Sequence, residues 1–172
     1  FKDGDTPGAR ELDRPLYRIP MPPLLALTAA LPALGAARGA VRAFARAMKH
    51  RYMAYENKHQ EERPAAQMRL ARATALVHAA DLLLRDLARR IESSTEGAAP
   101  MSIDERAALR MSAATAVHFC KDAIGLVVEA AGSSACFLDH PLQRMMRDVN
   151  VLSTHVVFDW DGTSEMYGRV LI

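Results

Sequence analysis

The sequence predicts an all-α protein, an up-and-down four-helix bundle, from three observations. Half of its 172 residues are hydrophobic, which suits one domain with a core of its own. Alanine, leucine, arginine and methionine dominate and aromatic residues are few, a composition that favours helix. Apolar residues recur at steps of three and four in four segments joined by short links, as in antiparallel bundles. Outside residues 156–160 no segment alternates with the period of two that is typical of strands.

Residues 1–20 are polar and rich in turn-forming residues, and we interpret them as a linker from an upstream β domain. The apolar run 22–37 has the composition of a signal peptide. It begins well inside the chain, however, and continues into a helical pattern, so we assign it to the bundle domain, 21–172. The run is too short, and too interrupted by proline, to span a membrane, and no membrane partner is expected.

The first helical segment has an apolar residue at every third or fourth position. Pro32 is expected to kink this helix or to mark its start. The helix is expected to end before the polar run 56–63 and Pro64. Its predicted buried stripe is Leu34, Ala37, Val41, Phe44, Met48, Tyr52 and Tyr55.

The second and third segments show the same spacing on either side of a loop predicted at Ser93–Pro100. Ser102 and Glu105 form a capping-box pattern at the start of the third helix, and Gly132 fits its end. The stripe of the second helix is Leu70, Ala73, Val77, Ala80, Leu84, Leu87 and Ile91. The stripe of the third is Leu109, Ala113, Val117, Cys120, Ile124, Val127 and Ala131.

The fourth helix is predicted to begin at Pro141, since proline suits a first helical turn. Its predicted buried face is Leu142, Met145, Val149, Leu152 and Val156. A short amphipathic piece, 163–172, follows.

The stretch VVFDWDGTS, residues 156–164, is similar to a phosphatase signature in which a strand delivers an aspartate nucleophile. That chemistry needs a parallel sheet and many further residues to complete the site, whereas nine residues follow Thr163 and helices precede the stretch. A calcium loop is excluded as well, because no acidic residue closes a twelve-residue loop here.

The same letters carry a different resemblance. DGTSEMYGR, from Asp161, resembles the EGTSEIQR string near the end of acyl-CoA dehydrogenases, and PLQRMMRD, from Pro141, resembles their PLERLLRD helix start. Residues 129–136, EAAGSSAC, stand where that family has a glutamine and a glycine-rich turn. Arg51 stands where it has an arginine on the first long helix. Residues 21–172 are thus similar to the C-terminal four-helix domain of the acyl-CoA dehydrogenase superfamily.

Two departures indicate a branch of that superfamily. Asp161 replaces the glutamate that dehydrogenases commonly use as base, and it is one methylene shorter, a loss of reach that proton abstraction tolerates poorly. The stretch between Asp148 and Asp161 is longer than in dehydrogenases and contains His155. Both features are more similar to flavin-dependent aromatic monooxygenases of the same fold, the oxygenase components that receive reduced flavin from a separate reductase.

This resemblance implies two catalytic candidates, His155 and Asp161. His155 matches a histidine that this family carries near flavin and substrate, and a group titrating near neutral pH suits deprotonating a phenol or steadying a peroxide. Helical spacing would place it on one face with Arg144, Asp148 and Val151. The plainer alternatives are a hydrogen-bonded histidine at the edge of the bundle and an aspartate that caps the last helix.

The resemblance also implies four cofactor-binding candidates, Arg51, Gly132, Ser133 and Ser134. The planar guanidinium of Arg51 would reach a flavin phosphate, including one across a subunit interface. The amides and hydroxyls of the glycine-serine turn would hold flavin. The plainer alternatives are a solvated arginine and a simple helix stop.

Several classes of ligand are excluded by composition and spacing. With 22 basic and 20 acidic residues the charge is balanced, and no basic stripe indicates nucleic acid. Cys120 and Cys136 form no C-x-x-C pair, which favours a reducing, cytoplasmic setting. The histidines form no H-x-x-x-H pair, and the single E-x-x-H pair, Glu56 and His59, has no second copy, so no metal is expected.

The favoured function is an oxygenase component of a two-component flavin monooxygenase. It would hydroxylate an aromatic, polyketide-like substrate with O2 and reduced flavin, FMNH2 or FADH2, held without a covalent bond. One alternative is an acyl-CoA dehydrogenase-type flavoprotein with Asp161 as base, and another is a non-catalytic helical oligomerisation module. A dimer or tetramer is expected, because exposed helical seams pair with copies of themselves.

Overall fold

The computed structural model describes residues 6–12, 14, 17, 19–95 and 101–172. Its described part consists of helices and one small hairpin, and the predicted all-α, four-helix bundle is confirmed. The helices are α1 Pro7–Leu12, α2 Met21–His50, α3 Pro64–Ser94, α4 Ile103–Ala131, α5 Pro141–Ser153 and α6 Trp160–Val170. The hairpin is an antiparallel pair, β1 Tyr52–Met53 and β2 Lys58–His59.

The core forms around α4, which packs against α2, α3, α5 and α6. Alanines on α2 let it approach α4 closely, because a methyl group is the smallest side chain that still excludes water. At Gly39 even a methyl would stand 3.1 Å from Cε of Met145, so glycine sets the distance between α2 and α5. The fully buried α2 alanines are Ala26, Ala30, Ala33, Ala37 and Ala40.

The N-terminal part differs from the prediction in two ways. Helix α2 begins at Met21 and continues through Pro32, so Pro32 does not mark its start, and prolines in the first turn suit the true start instead. Within the predicted linker 1–20, residues Pro7–Leu12 are helical. Residues 1–5, 13, 15, 16 and 18 of that linker lie outside the described residues, and the domain boundary stays a prediction.

The end of α2 was placed too late by the sequence. The helix ends at His50, Tyr52 belongs to β1, and Tyr55 is fully exposed in the hairpin turn, so neither tyrosine continues the buried stripe. Asn57, with a φ of 51°, reverses the chain and lets residues 52–53 pair with 58–59. Strands of two residues are too short to show a period of two, which is why the hairpin was missed.

The other helix ends mostly follow the predicted signals. The hydroxyl of Ser102 accepts a hydrogen bond from the amide of Glu105 at 3.1 Å, which confirms the α4 cap. Pro64 and Pro141 stand in first turns of α3 and α5. Helix α3 runs to Ser94, two residues into the predicted loop, and residues 96–100 of that loop lie outside the described residues.

Helix α5 ends earlier than predicted, and helix α6 begins earlier than predicted. Helix α5 stops at Ser153, and Val156, assigned to its buried face, is 71% exposed. The hydroxyls of Ser153 and Thr154 bond the carbonyls of Asn150 and Val151, and such side-chain bonds compete with helix continuation. The last helix spans Trp160–Val170 rather than 163–172.

Two described helices, α2 and α4, are long and apolar enough to cross a membrane by length and composition alone. Both contribute buried faces to the bundle core, and core helices pass the same test, so this is weak evidence for a membrane span. The expected absence of a membrane partner stays a prediction.

Both cysteines are unpaired thiols, one buried and one exposed. Burial raises the pKa of Cys120 to about 12, so its reactive thiolate form is scarce at neutral pH. Cys136 is exposed beside the glycine-serine turn.

A cross-helix ion network stabilises α2 against α3. Asp81 pairs with Arg38 at 2.9 Å and with Arg85 at 3.0 Å. Burial works to raise the pKa of Asp81, but its hydrogen bonds and charge attraction to the two arginines together lower that pKa below 3.8. The ionised form is therefore favoured in the folded protein.

Replacing Asp81 with asparagine is expected to lower the free energy of unfolding near pH 7 by about 0.5–1 kcal/mol, because water screens the half-exposed ion pairs. Because the folded pKa is depressed, the carboxylate stabilises the fold fully above the unfolded pKa and loses that contribution as pH falls through the folded pKa. Urea unfolding of the wild type and the variant, at pH 7 and below pH ~4, measures the difference in unfolding free energy at each pH. The difference between variant and wild type should shrink at the lower pH, and a constant difference would contradict the ionic origin.

Candidate functional site

The first predicted cluster forms where α2 and α4 end at the same side of the bundle. Arg51 follows α2 with an extended backbone, and its Nη1 donates a hydrogen bond to the carbonyl of Ala131 at the end of α4. The hydroxyl of Ser134 donates to the same carbonyl at 3.3 Å. The structure thus places Arg51 beside the end of α4, 80 residues further along the chain, and beside the glycine-serine turn. The cofactor-binding role of these residues stays a prediction.

Gly132 makes this arrangement possible. Its φ of 72° lies in the region that disfavours side chains, and its amide donates to the carbonyls of Val128 and Glu129, which ends α4. A Cβ here would stand 3.7 Å from Nη2 of Arg51. The helix-stop interpretation is confirmed, and the same glycine also lies beside the guanidinium of Arg51. Ser133 is exposed at the start of the 3-10 turn Ser133–Cys136.

Gln60 braces the same corner and was not foreseen from the sequence. Gln60 is 2% exposed. Its side-chain Nε2 donates to the carbonyl of Ala130 at 2.7 Å, and its backbone amide donates to the carbonyl of Arg51 at 2.8 Å. The hairpin 52–59 brings it there. A single glutamine in a polar run leaves no periodic signal, so spacing could not have singled it out.

A cavity of about 140 Å³ opens at this corner. It lies below the ~300 Å³ at which drug-sized ligand pockets begin, so it can take a phosphate-sized group but not a whole flavin. Its polar lining consists of Arg51, Gln60, Ser134 and His140, with no carboxylate among the described lining residues. A guanidinium and hydrogen-bonding side chains, with no carboxylate among the described lining residues, suit an anionic group of this size.

The second cluster lies in the turn between α5 and α6. The carbonyl of His155 accepts hydrogen bonds from the amides of Phe158, at 2.7 Å, and Asp159, at 2.9 Å. Phe158 is fully buried and anchors the turn, whereas the His155 side chain is exposed in this chain. The predicted helical face is wrong for His155, because α5 ends two residues earlier, although Arg144 and Asp148 do pair at 3.4 Å.

The ring of His155 is oriented by its own turn. Its Nδ1 lies 3.3 Å from the amide nitrogen of Val157, which donates to it. In a neutral imidazole one nitrogen accepts and the other carries the proton, so this bond assigns the proton to Nε2. The ring therefore presents an N–H donor, an arrangement better suited to steadying an oxygen atom than to removing a phenol proton.

Two α4 side chains hold this turn, and neither was foreseen. Arg110 donates from Nε to the carbonyl of Val157 at 3.2 Å and from Nη2 to the carbonyl of Val156 at 2.5 Å. His118 places Nε2 3.3 Å from the carbonyl of Phe158, and its ring lies 4.6 Å from that of Trp160. Their eight-residue spacing is no signal on its own, because it leaves the two side chains about 80° apart around the helix axis.

Asp161 is exposed in the first turn of α6 and is not its cap. The cap is Asp159, whose Oδ2 accepts from the amide of Gly162 at 2.8 Å. A Cβ at Gly162 would stand 2.9 Å from that oxygen, so glycine is needed for this cap. The capping interpretation of Asp161 is wrong, and its catalytic role stays a prediction, as does that of His155.

The two clusters lie at opposite ends of α5. His140 and Pro141 line the Arg51 cavity, and the 13 residues of α5 lead from there to His155. At 1.5 Å per residue the helix separates them by about 20 Å. The structure therefore does not bring the cofactor-binding candidates beside the catalytic ones within one copy of this chain.

The expected absence of a metal stays a prediction. Within the described part of the chain, no group of three histidine, cysteine, aspartate or glutamate side chains could hold an ion. Glu56 of the E-x-x-H pair is engaged with Lys58 at 3.1 Å and Arg63 at 3.0 Å.

Comparison with known proteins gives the family. Residues 27–160 match the family model described as acyl-CoA dehydrogenase, C-terminal domain. The chain is 32% identical, over 98% of its length, to the FADH(2)-dependent resorcinol hydroxylase, oxygenase component, of Rhizobium sp. (strain MTP-10005). It is 32% identical, over 96% of its length, to the pigment production hydroxylase of Rhodococcus sp. (strain ATCC 21145). The chain spans 44% and 42% of these two relatives, less than half of each.

Solved structures show the same fold. XiaF from Streptomyces sp., in complex with FADH2 and glycerol, superposes with a TM-score of 0.87 at 23% identity, covering 95% of this chain and 42% of that one. The 3-HSA hydroxylase from Rhodococcus sp. RHA1 superposes with a TM-score of 0.82 at 24% identity, covering 95% and 41%. Since the family model matches most of the sequence, the chain belongs to the acyl-CoA dehydrogenase C-terminal domain family.

Proposed function

We propose that this chain is the C-terminal bundle of an oxygenase component that hydroxylates an aromatic substrate with reduced flavin and O2. The observation that carries the proposal is the 32% identity, over 98% of the chain, to a FADH(2)-dependent resorcinol hydroxylase, oxygenase component. A third relative, 27% identical, is the p-hydroxyphenylacetate 3-hydroxylase, oxygenase component, of Acinetobacter baumannii. Two of the three names specify a phenol, and we propose a phenolic, polyketide-like substrate.

The cofactor would be FADH2 or FMNH2, held without a covalent bond and delivered by a separate reductase in the cytoplasm. When bound, the reduced flavin supplies the electrons that activate O2. Arg51 and the Gly132–Ser134 turn would hold an anionic part of the flavin, with the guanidinium in the role that its planar fork suits. The roughly 20 Å between this corner and His155 favours a dimer or tetramer, in which one chain serves two flavins.

His155 would act at the other end of α5. Its Nε2 proton is available for a hydrogen bond, since Nδ1 is occupied by the amide of Val157. In a site closed by the rest of the protein, this donor would steady charge that develops on oxygen during transfer to the ring. The exposure of His155 in this chain leaves its face open to such neighbours. Asp161 follows in the first turn of α6 and is also exposed, and it would be the second polar group of this catalytic site.

The test uses the complete protein with a flavin reductase, NADH, ¹⁸O2 and a panel of phenols that includes resorcinol. Incorporation of one labelled oxygen into product, detected by mass spectrometry, is the expected result. Bleaching of the oxidised flavin by an acyl-CoA, without oxygen incorporation, would instead favour the acyl-CoA dehydrogenase alternative, in which Asp161 would be the base. A protein that neither binds flavin nor turns over any substrate would instead be a helical assembly module.

A further inference from the structure

We propose that Arg110 is a positioning residue for His155, an inference that rests on the proposed function. The guanidinium holds two consecutive carbonyls of the turn, Val157 at 3.2 Å and Val156 at 2.5 Å. Arginine suits this task because its donors lie in one rigid plane and it stays charged at all physiological pH values.

The link from Arg110 to the imidazole runs through a single peptide group. The carbonyl of Val156 and the amide of Val157 belong to the same planar unit. One end of that unit accepts from Nη2 of Arg110, and the other end donates to Nδ1 of His155 at 3.3 Å. Because the unit is rigid, holding the carbonyl fixes the direction of the amide, and with it the tautomer and orientation of the ring.

His118 supports the far end of the same turn. It contacts the carbonyl of Phe158 at 3.3 Å and packs on Trp160, the first residue of α6. With Arg110 it holds the carbonyls of three successive residues, 156, 157 and 158, from one face of α4. The exposed imidazole therefore stands on a turn whose backbone is held from the bundle core.

A purely structural brace would explain the same bonds, so the test must separate the two roles. In the complete protein we compare Arg110→Met and Arg110→Lys, each alone and combined with His155→Ala. The control is Arg89→Met, the same chemical change at an exposed α3 arginine. The measurements are hydroxylated product per O2 consumed, and hydrogen exchange of the peptide covering residues 154–160.

Arg110→Met is expected to lower product per O2 by about tenfold and to speed exchange in the turn by a similar factor, with no such changes for the control. Lysine, which offers one donor centre instead of a fork, should recover part of both losses. In the His155→Ala background, Arg110→Met should cause no further loss of coupling, because it acts through the missing ring.

Three results would overturn the inference: unchanged coupling in both Arg110 variants, unchanged exchange in the turn, or an additive loss in the double variant. If Arg110→Met does not fold, the lysine variant and its combination with His155→Ala decide the same questions. A wild-type protein that hydroxylates no phenol would reject the proposed function and the catalytic half of this inference. The exchange measurement would then still support or overturn the backbone clamp by itself.

Discussion

Replacing His155 with alanine is expected to lower the hydroxylated product formed per O2 consumed by about 100-fold, with hydrogen peroxide released in its place. The reason is local: the Nδ1 bond to the amide of Val157 leaves Nε2 as the donor, and alanine removes that donor without disturbing the buried anchor Phe158. Product by mass spectrometry and peroxide by a coupled peroxidase assay give the two yields. Oxygen consumption itself should change little, because the flavin can still react.

Two further variants define what the ring contributes. His155→Gln keeps an N–H donor at a similar reach, so it should recover part of the coupling, and His155→Leu should not. The control is His78→Ala, which removes an exposed histidine from the middle of α3. Coupling that stays at the wild-type value in His155→Ala would reject the assigned role, whatever the other variants show.

The helices could be predicted because their buried stripes repeat. On α3, for example, Ala73, Val77, Ala80 and Leu84 follow steps of four and three, and all are buried. Pro141 correctly marked the start of α5 and Gly132 the end of α4, because each residue acts through its own backbone preference. The limits at His50 and Ser153 could not be predicted, since apolar residues continue beyond both helix ends.

The candidate site could be predicted only in part from the sequence. Arg51 and the turn at Gly132 were proposed as cofactor-binding residues through the family resemblance. Only the helix stop at Gly132 also follows from its residue type, because glycine tolerates a positive φ. The contacts that hold His155 were missed, because Arg110 reaches across 46 and 47 residues to two carbonyls. Backbone carbonyls carry no sequence signal, so only coordinates reveal which of them a side chain will meet.

Replacing Arg51 with methionine is expected to weaken binding of reduced flavin by about 30-fold, the loss of one charged hydrogen-bonding contact to an anionic group. The cavity beside Arg51 and the side chain of His155 lie at opposite ends of α5, about 20 Å apart. Product per O2 at saturating flavin should therefore stay near the wild-type value. Anaerobic titration with FADH2 and with FMNH2 gives the affinities, and the coupling assay at high flavin gives the yield. Arg51→Lys should bind with intermediate affinity, since it keeps the charge but not the fork.

Arg51 also holds the end of α4 through the carbonyl of Ala131, so weaker flavin binding could follow from a loosened corner rather than from lost charge. Gln60→Met tests the second cause, because it removes the 2.7 Å bond to the carbonyl of Ala130, keeps the arginine, and takes only an uncharged side chain from the cavity lining. If the charge matters, Gln60→Met lowers the melting temperature but changes flavin affinity far less than Arg51→Met. Equal losses of affinity in both variants would show that this corner is a structural brace, and the phosphate would have to be held by residues elsewhere in the assembled protein.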